Sequence, residues 1–312
     1  MPAPELYAEP AVSIAACATL AAVFAITRPA VTTAQVTINT SIHPAQLASS
    51  LLDNRDLLRQ LTVRDVIGRY RGSVMGIVWS LLNPILLLVV YTFVFSVIFG
   101  ARWGGSAAEG GGSRVMFALN VFAGMIVQTL FAECVNRAPG LMLAHVNFVK
   151  KVVFPLEILP WMAMGSALFH ATVSTFVLLA GLALARHSIP LTVLLLPLSV
   201  VPLVLFTMGA SWFLASLGVY VRDVAYTTGL LTTVMLFLSP VFYPLANVPE
   251  SFRGLLLLNP LTWFVEQIRG MLIAGVVPDA QELALTWIGA GICAWLGFAW
   301  FQKTRRGFAD VL

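Results

Sequence analysis

The chain has 312 residues, of which 59% are hydrophobic and only 10% charged, with a mean hydropathy of +0.90. A soluble domain carries roughly 25% charged residues, so this composition excludes a soluble fold and makes lipid the main solvent. The net charge of +4 matches the basic loops that membrane proteins gather on one side, and no nucleic-acid partner is expected.

Residues 1–50 read as a loosely structured N-terminal extension. Ala11–Ile26 is apolar but short for a span of about 20 residues, and Glu5 and Glu9 precede it where a signal peptide would be basic. A seventh span there and an over-long start are the alternatives.

Residues 51–73 predict a cytoplasmic interface segment of two short helices. Leu57, Leu58 and Leu61 form one apolar face, and Val63, Val66, Ile67 and Tyr70 form another, rotated from the first. Thr62-Val63-Arg64-Asp65 fits an N-capping signal at the break. The second helix is amphipathic, with Arg64, Arg69 and Arg71 on its polar side, and belongs in the membrane surface rather than across it.

Residues 74–312 predict a permease domain of six spans. The apolar runs are Val74–Gly100, Val115–Ala132, Leu156–Ala185, Leu191–Tyr220, Tyr226–Pro244 and Leu283–Phe301. Pro197 and Pro202 are expected to kink the fourth. Between the last two runs, Asn247-Val248-Pro249-Glu250 and Asn259-Pro260 look like helix starts. Leu261, Phe264, Val265, Ile268 and Leu272 then share one face, with Thr262, Glu266 and Arg269 opposite. These two helices are too short to span and are placed at the outer surface. The fold class is therefore an all-α membrane protein of six transmembrane helices, with an N-terminal interface helix and two outer-surface helices before the last span.

Of the 18 Lys and Arg residues, twelve fall on the side of Arg55–Arg71 and the C-terminus and five on the other, with Arg28 unassigned. The positive-inside rule makes the first side cytoplasmic. Cys17, Cys134 and Cys293 lie far apart and the four histidines form no paired spacing, so neither a disulfide framework nor a metal site is expected. Lys150, Lys151 and Lys303 are the only lysines and none follows a glycine, so no P-loop can bind ATP. Glu133, Glu157 and Asp223 are all read as cytoplasmic span ends. With no carboxylate at a span centre, ion coupling has no expected site, and no internal duplication of the secondary-transporter kind is visible.

Two blocks of residues carry a family resemblance. The first is Leu61-Thr62-Val63-Arg64-Asp65, then Arg69-Tyr70-Arg71-Gly72-Ser73, Gly76-Ile77-Val78-Trp79 and Leu82-Asn83-Pro84. The second is Asn147-Phe148-Val149-Lys150-Lys151 running through Val152-Val153-Phe154-Pro155-Leu156-Glu157 to Pro160. Arg222-Asp223, Ser239-Pro240-Val241-Phe242-Tyr243 and Leu258-Asn259-Pro260 add to them. From Leu51 onward the chain resembles ABC-type polysaccharide and polyol-phosphate export permeases.

That resemblance implies a homodimer of six-helix permeases in the cell inner membrane, with two separate ATPase subunits beneath. Its substrate would be a lipid-linked glycan of O-antigen, capsule or teichoic-acid type. It implies no enzyme activity and no cofactor in this chain, ATP being bound by the partner. It also implies an ATPase-coupling loop between the second and third spans, carrying Asn136, Arg137, His145, Asn147, Lys150 and Lys151. The interface helix would contribute Arg64, Asp65, Arg69, Tyr70 and Arg71.

Each of these residues has a plainer reading. Lys150 and Lys151 suit positive-inside anchors equally well, Glu157 suits a helix N-terminus, and His170 reads as a packing residue rather than a site. Tyr91, Phe95 and Phe99 recur at i, i+4 and i+8, and Phe237, Phe242 and Tyr243 end the fifth run. These aromatics fit lipid contact and packing, and with a glycan substrate implied they also fit a sugar path. A drug or lipid exporter of the same architecture is the alternative within the class. A membrane-embedded transferase would need a cluster of acidic and basic residues that the sequence does not display, and a membrane scaffold is a third reading.

Overall fold

The computed structural model describes residues 51–98, 112–150 and 154–312. The extension read over 1–50, including Ala11–Ile26, lies outside them, as do Phe99 and Lys151; for Phe95 the backbone alone is described. Every regular element among the described residues is helical. In lipid this follows from the backbone, whose polar groups must be paired within the segment that carries them.

Helix α1 spans Arg55–Tyr70, α2 Trp79–Tyr91, α3 Gly112–Ala144, α4 Val146–Lys150 and α5 Ile158–Arg186. Helix α6 spans Pro197–Tyr220, α7 Val224–Phe237, α8 Glu250–Leu257, α9 Pro260–Arg269, α10 Ala280–Thr304 and α11 Phe308–Val311. Five segments are long and apolar enough to cross a membrane: Gly76–Val94, Val115–Ala144, Ile158–Arg186, Leu191–Tyr220 and Ala280–Val311. The fifth apolar run differs from its expected extent. Its helix α7 has 14 residues and stops at Phe237, seven residues before Pro244. A helix of that length rises only about 21 Å, which is short of the roughly 30 Å hydrocarbon layer.

Helix α3 is the hub. Two-thirds of its span is buried inside the chain, against 6% for the segment containing α2, and it packs on α5, α6, α7 and α9. Small residues let the helices approach closely, as expected where lipid gives no hydrophobic drive to association. Gly209 of α6 and Gly297 of α10 face one another, and a Cβ on Gly297 would overlap the Gly209 carbonyl. Gly218 of α6 lies equally close to Pro139 of α3. Trp212 fills the α6 core, edge-on to Trp161 and Phe298, and its Nε1 donates to the Glu157 carbonyl at 3.1 Å.

One end of the bundle collects Glu157–Arg305 (2.9 Å) and Tyr220 donating to the Thr304 carbonyl (2.8 Å). The other collects Arg186 donating to the Ile273 carbonyl (2.8 Å) and Thr192 donating to that of Met271 (2.6 Å). Helix α5 leaves this second end at His187, whose left-handed φ of 56° closes the helix. Asp279 caps α10, accepting from Gln281 and Glu282.

Three local expectations need correction. The interface segment is one helix, not two: α1 runs unbroken through Thr62, whose side chain packs against Gly165 of α5 and is held by that contact rather than by a cap. The stretch read as a loop from Asn136 is helical to Ala144, despite Pro139. Thr262 and Arg269, expected on the polar face of α9 opposite Leu261 and Phe264, are as buried as that apolar face, at 1% and 4% exposed.

The physical reason for the last is the break after α7. The Arg269 guanidinium donates to the carbonyls of Pro240 (2.8 Å), Val241 (3.2 Å) and Asn120 (3.2 Å), and pairs with Glu266 at 3.0 Å. It thereby supplies donors to backbone carbonyls around the irregular turn. Gly124 on α3 makes room, since a Cβ there would stand 2.8 Å from Arg269 Nη2. Asn259 joins the same corner: its Oδ1 caps α9 through Leu261 N, and its Nδ2 donates to the Met235 carbonyl and Ser239 Oγ.

Candidate functional site

The site begins with two acid–base pairs at helical i,i+4 spacing, Asp65 and Arg69 on α1 and Glu133 and Arg137 on α3. Such neighbours lie on one helix face, and apolar surroundings force them to find partners. The two pairs interlock across the helices. Asp65 accepts two bonds from Arg137, at 2.7 and 3.0 Å, and one from Ser166 of α5 at 2.5 Å. Arg69 in turn forms a close ion pair with Glu133.

His170 of α5 completes the cluster. Its Nδ1 lies 3.4 Å from both Arg69 and Glu133, and its Nε2 lies 3.0 Å from the Tyr70 hydroxyl. Burial pushes the Asp65 carboxyl up, but the bonds from Arg137 and Ser166 and the nearby positive charges outweigh it and leave its pKa below the usual value. Three helices are thus tied together by charge at one locus.

This arrangement changes the reading of several residues. Arg64, Arg69 and Arg71 are all exposed, as expected of a polar face, and Arg69 also reaches Glu133 of α3. Because α3 continues to Ala144, Glu133 lies eleven residues inside the helix, about 16 Å from its end. Its charge is met by Arg69, Arg137 and His170. The sequence signal that would have found the cluster was the pair of i,i+4 acid–base couples, read together rather than one helix at a time.

Asn136 and Arg137, expected in the coupling loop, lie within α3. Asn136 Oδ1 accepts from Thr232 of α7 at 3.2 Å. Just above it the Gln128 amide donates to the Thr232 carbonyl at 2.9 Å, a contact that sequence reasoning missed. His145 lies between α3 and α4, stacked on Phe148, which stacks on Phe154 with ring centroids 4.6 Å apart. Asn147 and Lys150 are exposed on α4.

Two cavities meet at the Arg69–Glu133 pair. The first, about 230 Å³, lies among α1, α2, α3 and α5; Arg69, Tyr70, Ser80, Asn83 and His170 supply its polar wall. The second, about 400 Å³, lies between α3 and α7, with Gln128, Thr129, Asn136, Thr232 and Thr233 among its lining. Tyr91 lines the first cavity. Phe237 and Phe242 group separately, their centroids 6.1 Å apart, and the Tyr243 hydroxyl donates to the Phe237 carbonyl at 2.9 Å.

Comparison with known proteins supplies the family. The O-antigen export system permease protein RfbA of Myxococcus xanthus is 28% identical over 270 residues, covering 86% of this chain and 99% of its own length. A Klebsiella pneumoniae protein of the same name is 26% identical over 258 residues, with 82% and 95% coverage. The polysialic acid transport protein KpsM of Escherichia coli is 21% identical over 247 residues, with 79% and 92% coverage. The family model for the ABC-2 type transporter matches residues 56–273, from the start of α1 to just beyond α9, and the chain belongs to that family.

Proposed function

We propose that this chain is the membrane-spanning subunit of an ATP-driven exporter that moves a lipid-linked polysaccharide, of O-antigen or capsule type, across the cell inner membrane. The observation that carries this reading is the match to polysaccharide-export permeases along nearly their whole length, on a chain whose helices α1 to α9 coincide with the family model. The chain works as a homodimer, the commonest closed arrangement, with separate ATPase subunits. Residues 1–50 form an extension, 51–73 the interface segment and 74–312 the permease proper. In this reading α7 and the turn after it supply the fifth of six crossings, with both ends of the core cytoplasmic.

Coupling follows from the ionic cluster and α4. Asn147 and Lys150 are exposed on a helix backed by the His145–Phe148–Phe154 stack, a rigid surface for an ATPase subunit to press upon. Arg137 sits two turns earlier on α3 and holds Asp65 of α1. A push on α4 therefore reaches the interface helix through charge pairs rather than through a flexible loop.

The test is co-expression with an ABC ATPase from the same gene cluster, in a host lacking its own O-antigen permease. Surface glycan detected by antibody or lectin is the expected result. Retention of the glycan on the cytoplasmic face, with drug or phospholipid efflux instead, would overturn the reading.

A further inference from the structure

The segment after α10 has a fixed place in the fold. Helix α10 alone has 25 residues, a rise of about 37 Å against a hydrocarbon layer of roughly 30 Å, so nothing beyond Thr304 is needed to cross the membrane. Yet Phe308 is fully buried, edge-on to Phe301 of α10 at 5.5 Å and to Tyr220 of α6 at 6.0 Å. The turn that brings it there, Arg305–Gly307, passes close to α6: a Cβ on Gly307 would stand 2.7 Å from the Tyr220 hydroxyl oxygen.

This segment grips the surroundings of α4 at two points. Arg305 Nη1 pairs with Glu157 Oε2 at 2.9 Å, both side chains nearly buried. Glu157 stands between Phe154, which stacks on Phe148 of α4, and the start of α5. Helix α11 itself packs on α4 and on α6. A helix of five residues is far too short to hold its shape in isolation, so α4 takes its stance from what it rests on. Its Phe148 and Val149 are partly buried against the core to which Phe308 belongs, while Asn147 and Lys150 stay exposed.

We propose that α11 and the turn before it form a brace for ATPase coupling, with Phe308 and Arg305 as positioning residues that hold α4 in the stance the ATPase subunit engages. This rests on the proposed function, in which α4 carries the ATPase contact. Phe308 and Arg305 are too buried to meet the partner themselves; each acts by keeping Asn147 and Lys150 in place. With the brace loosened, α4 is docked for only part of the time, and the apparent affinity for the ATPase falls by the fraction that remains docked. Saturating ATPase restores the docked state, so the maximal rate of stimulated hydrolysis survives.

The experiment titrates full-length permease in lipid nanodiscs with the ATPase subunit from the same gene cluster. Phosphate release reads hydrolysis, and amide exchange is followed by mass spectrometry on the same samples. Phe308→Ala is expected to speed exchange in α4 at least about tenfold, because truncating a fully buried phenylalanine removes its contacts and leaves a cavity, with exchange in the middle of α3 and α6 unchanged. It raises the ATPase concentration for half-maximal stimulation severalfold and preserves the maximal rate. Arg305→Gln shifts both readouts the same way. Asn147→Ala with Lys150→Glu, which removes the contact itself, instead lowers the maximal rate with exchange in α4 unchanged. Phe308→Leu keeps an apolar side chain in place and gives smaller shifts in the same direction, which carry the test if Phe308→Ala does not fold. Unchanged exchange in α4 on substitution of Phe308 and Arg305, or faster exchange with no change in the half-maximal concentration, would overturn the brace. So would faster exchange throughout α3 and α6 in both Phe308 variants, which would make Phe308 a general core residue. If wild-type permease does not stimulate the ATPase, the proposed function fails; if it does and the Phe308 variants match it, this inference alone fails.

Discussion

The contact between Asp65 and Arg137 allows a worked estimate. The pair is bidentate, at 2.7 and 3.0 Å, with side chains 17% and 29% exposed, so it sits between the surface and buried limits. Exposed pairs contribute about 0.2–1 kcal/mol, and breaking a buried pair from one side costs about 3–5 kcal/mol. Asp65→Asn keeps the shape but removes the charge, and Arg137 retains Glu133 at 3.9 Å as a fallback. The expected cost is therefore about 1.5–3 kcal/mol, the range for a hydrogen bond to a charged group. This raises the opening equilibrium of α1 by about 10- to 150-fold. Amide hydrogen exchange reads that quantity directly, because protection of α1 reports its local opening. Faster exchange confined to α1 in Asp65→Asn is expected. In a cycle with Arg137→Gln the double variant should be less destabilised than the sum of the two singles. Unchanged protection of α1, or strictly additive effects, would refute the view that this pair docks the helix.

The same contact sets a pH response. Because the docked pKa of Asp65 lies below its ordinary 3.8, its contribution is complete above that value and is lost as pH falls through the lower docked pKa; exchange from α1 should be flat from neutrality to about pH 5 and rise only in stronger acid. Arg269→Leu orphans the carbonyls of Asn120, Pro240 and Val241 at about 1–3 kcal/mol each, so the protein should aggregate at lower temperature in detergent, with Arg269→Lys milder. Gly297→Ala forces α6 and α10 apart and should lower the same temperature, while Gly291→Ala, with nothing within 4 Å of the added carbon, should not. Asn147→Ala with Lys150→Glu alters exposed side chains on α4; folding should be unchanged and ATP hydrolysis by the partner, measured as phosphate release, should lose its stimulation by the permease.

The character of this protein as a membrane helix bundle was legible from residues alone. Long apolar runs in lipid admit almost no backbone but helix, and Leu191–Tyr220 was bounded at the residues where its span ends. Asn259-Pro260 likewise announced α9, because an Asn cap followed by Pro at the first helical position is local chemistry. Tertiary structure decided what local chemistry left open. Thr62 carries the pattern of a cap yet lies mid-helix, since Gly165 gives it a packing partner. Arg269 reads as a polar surface residue until the carbonyls around the broken end of α7, nearly 30 positions earlier, are brought to it. Glu133 finds its partners Arg69 and His170 only because α1 and α5 pack beside α3. In each case the deciding partner is distant in the chain, and an unsatisfied charge or carbonyl in hydrocarbon costs more than a local preference can resist.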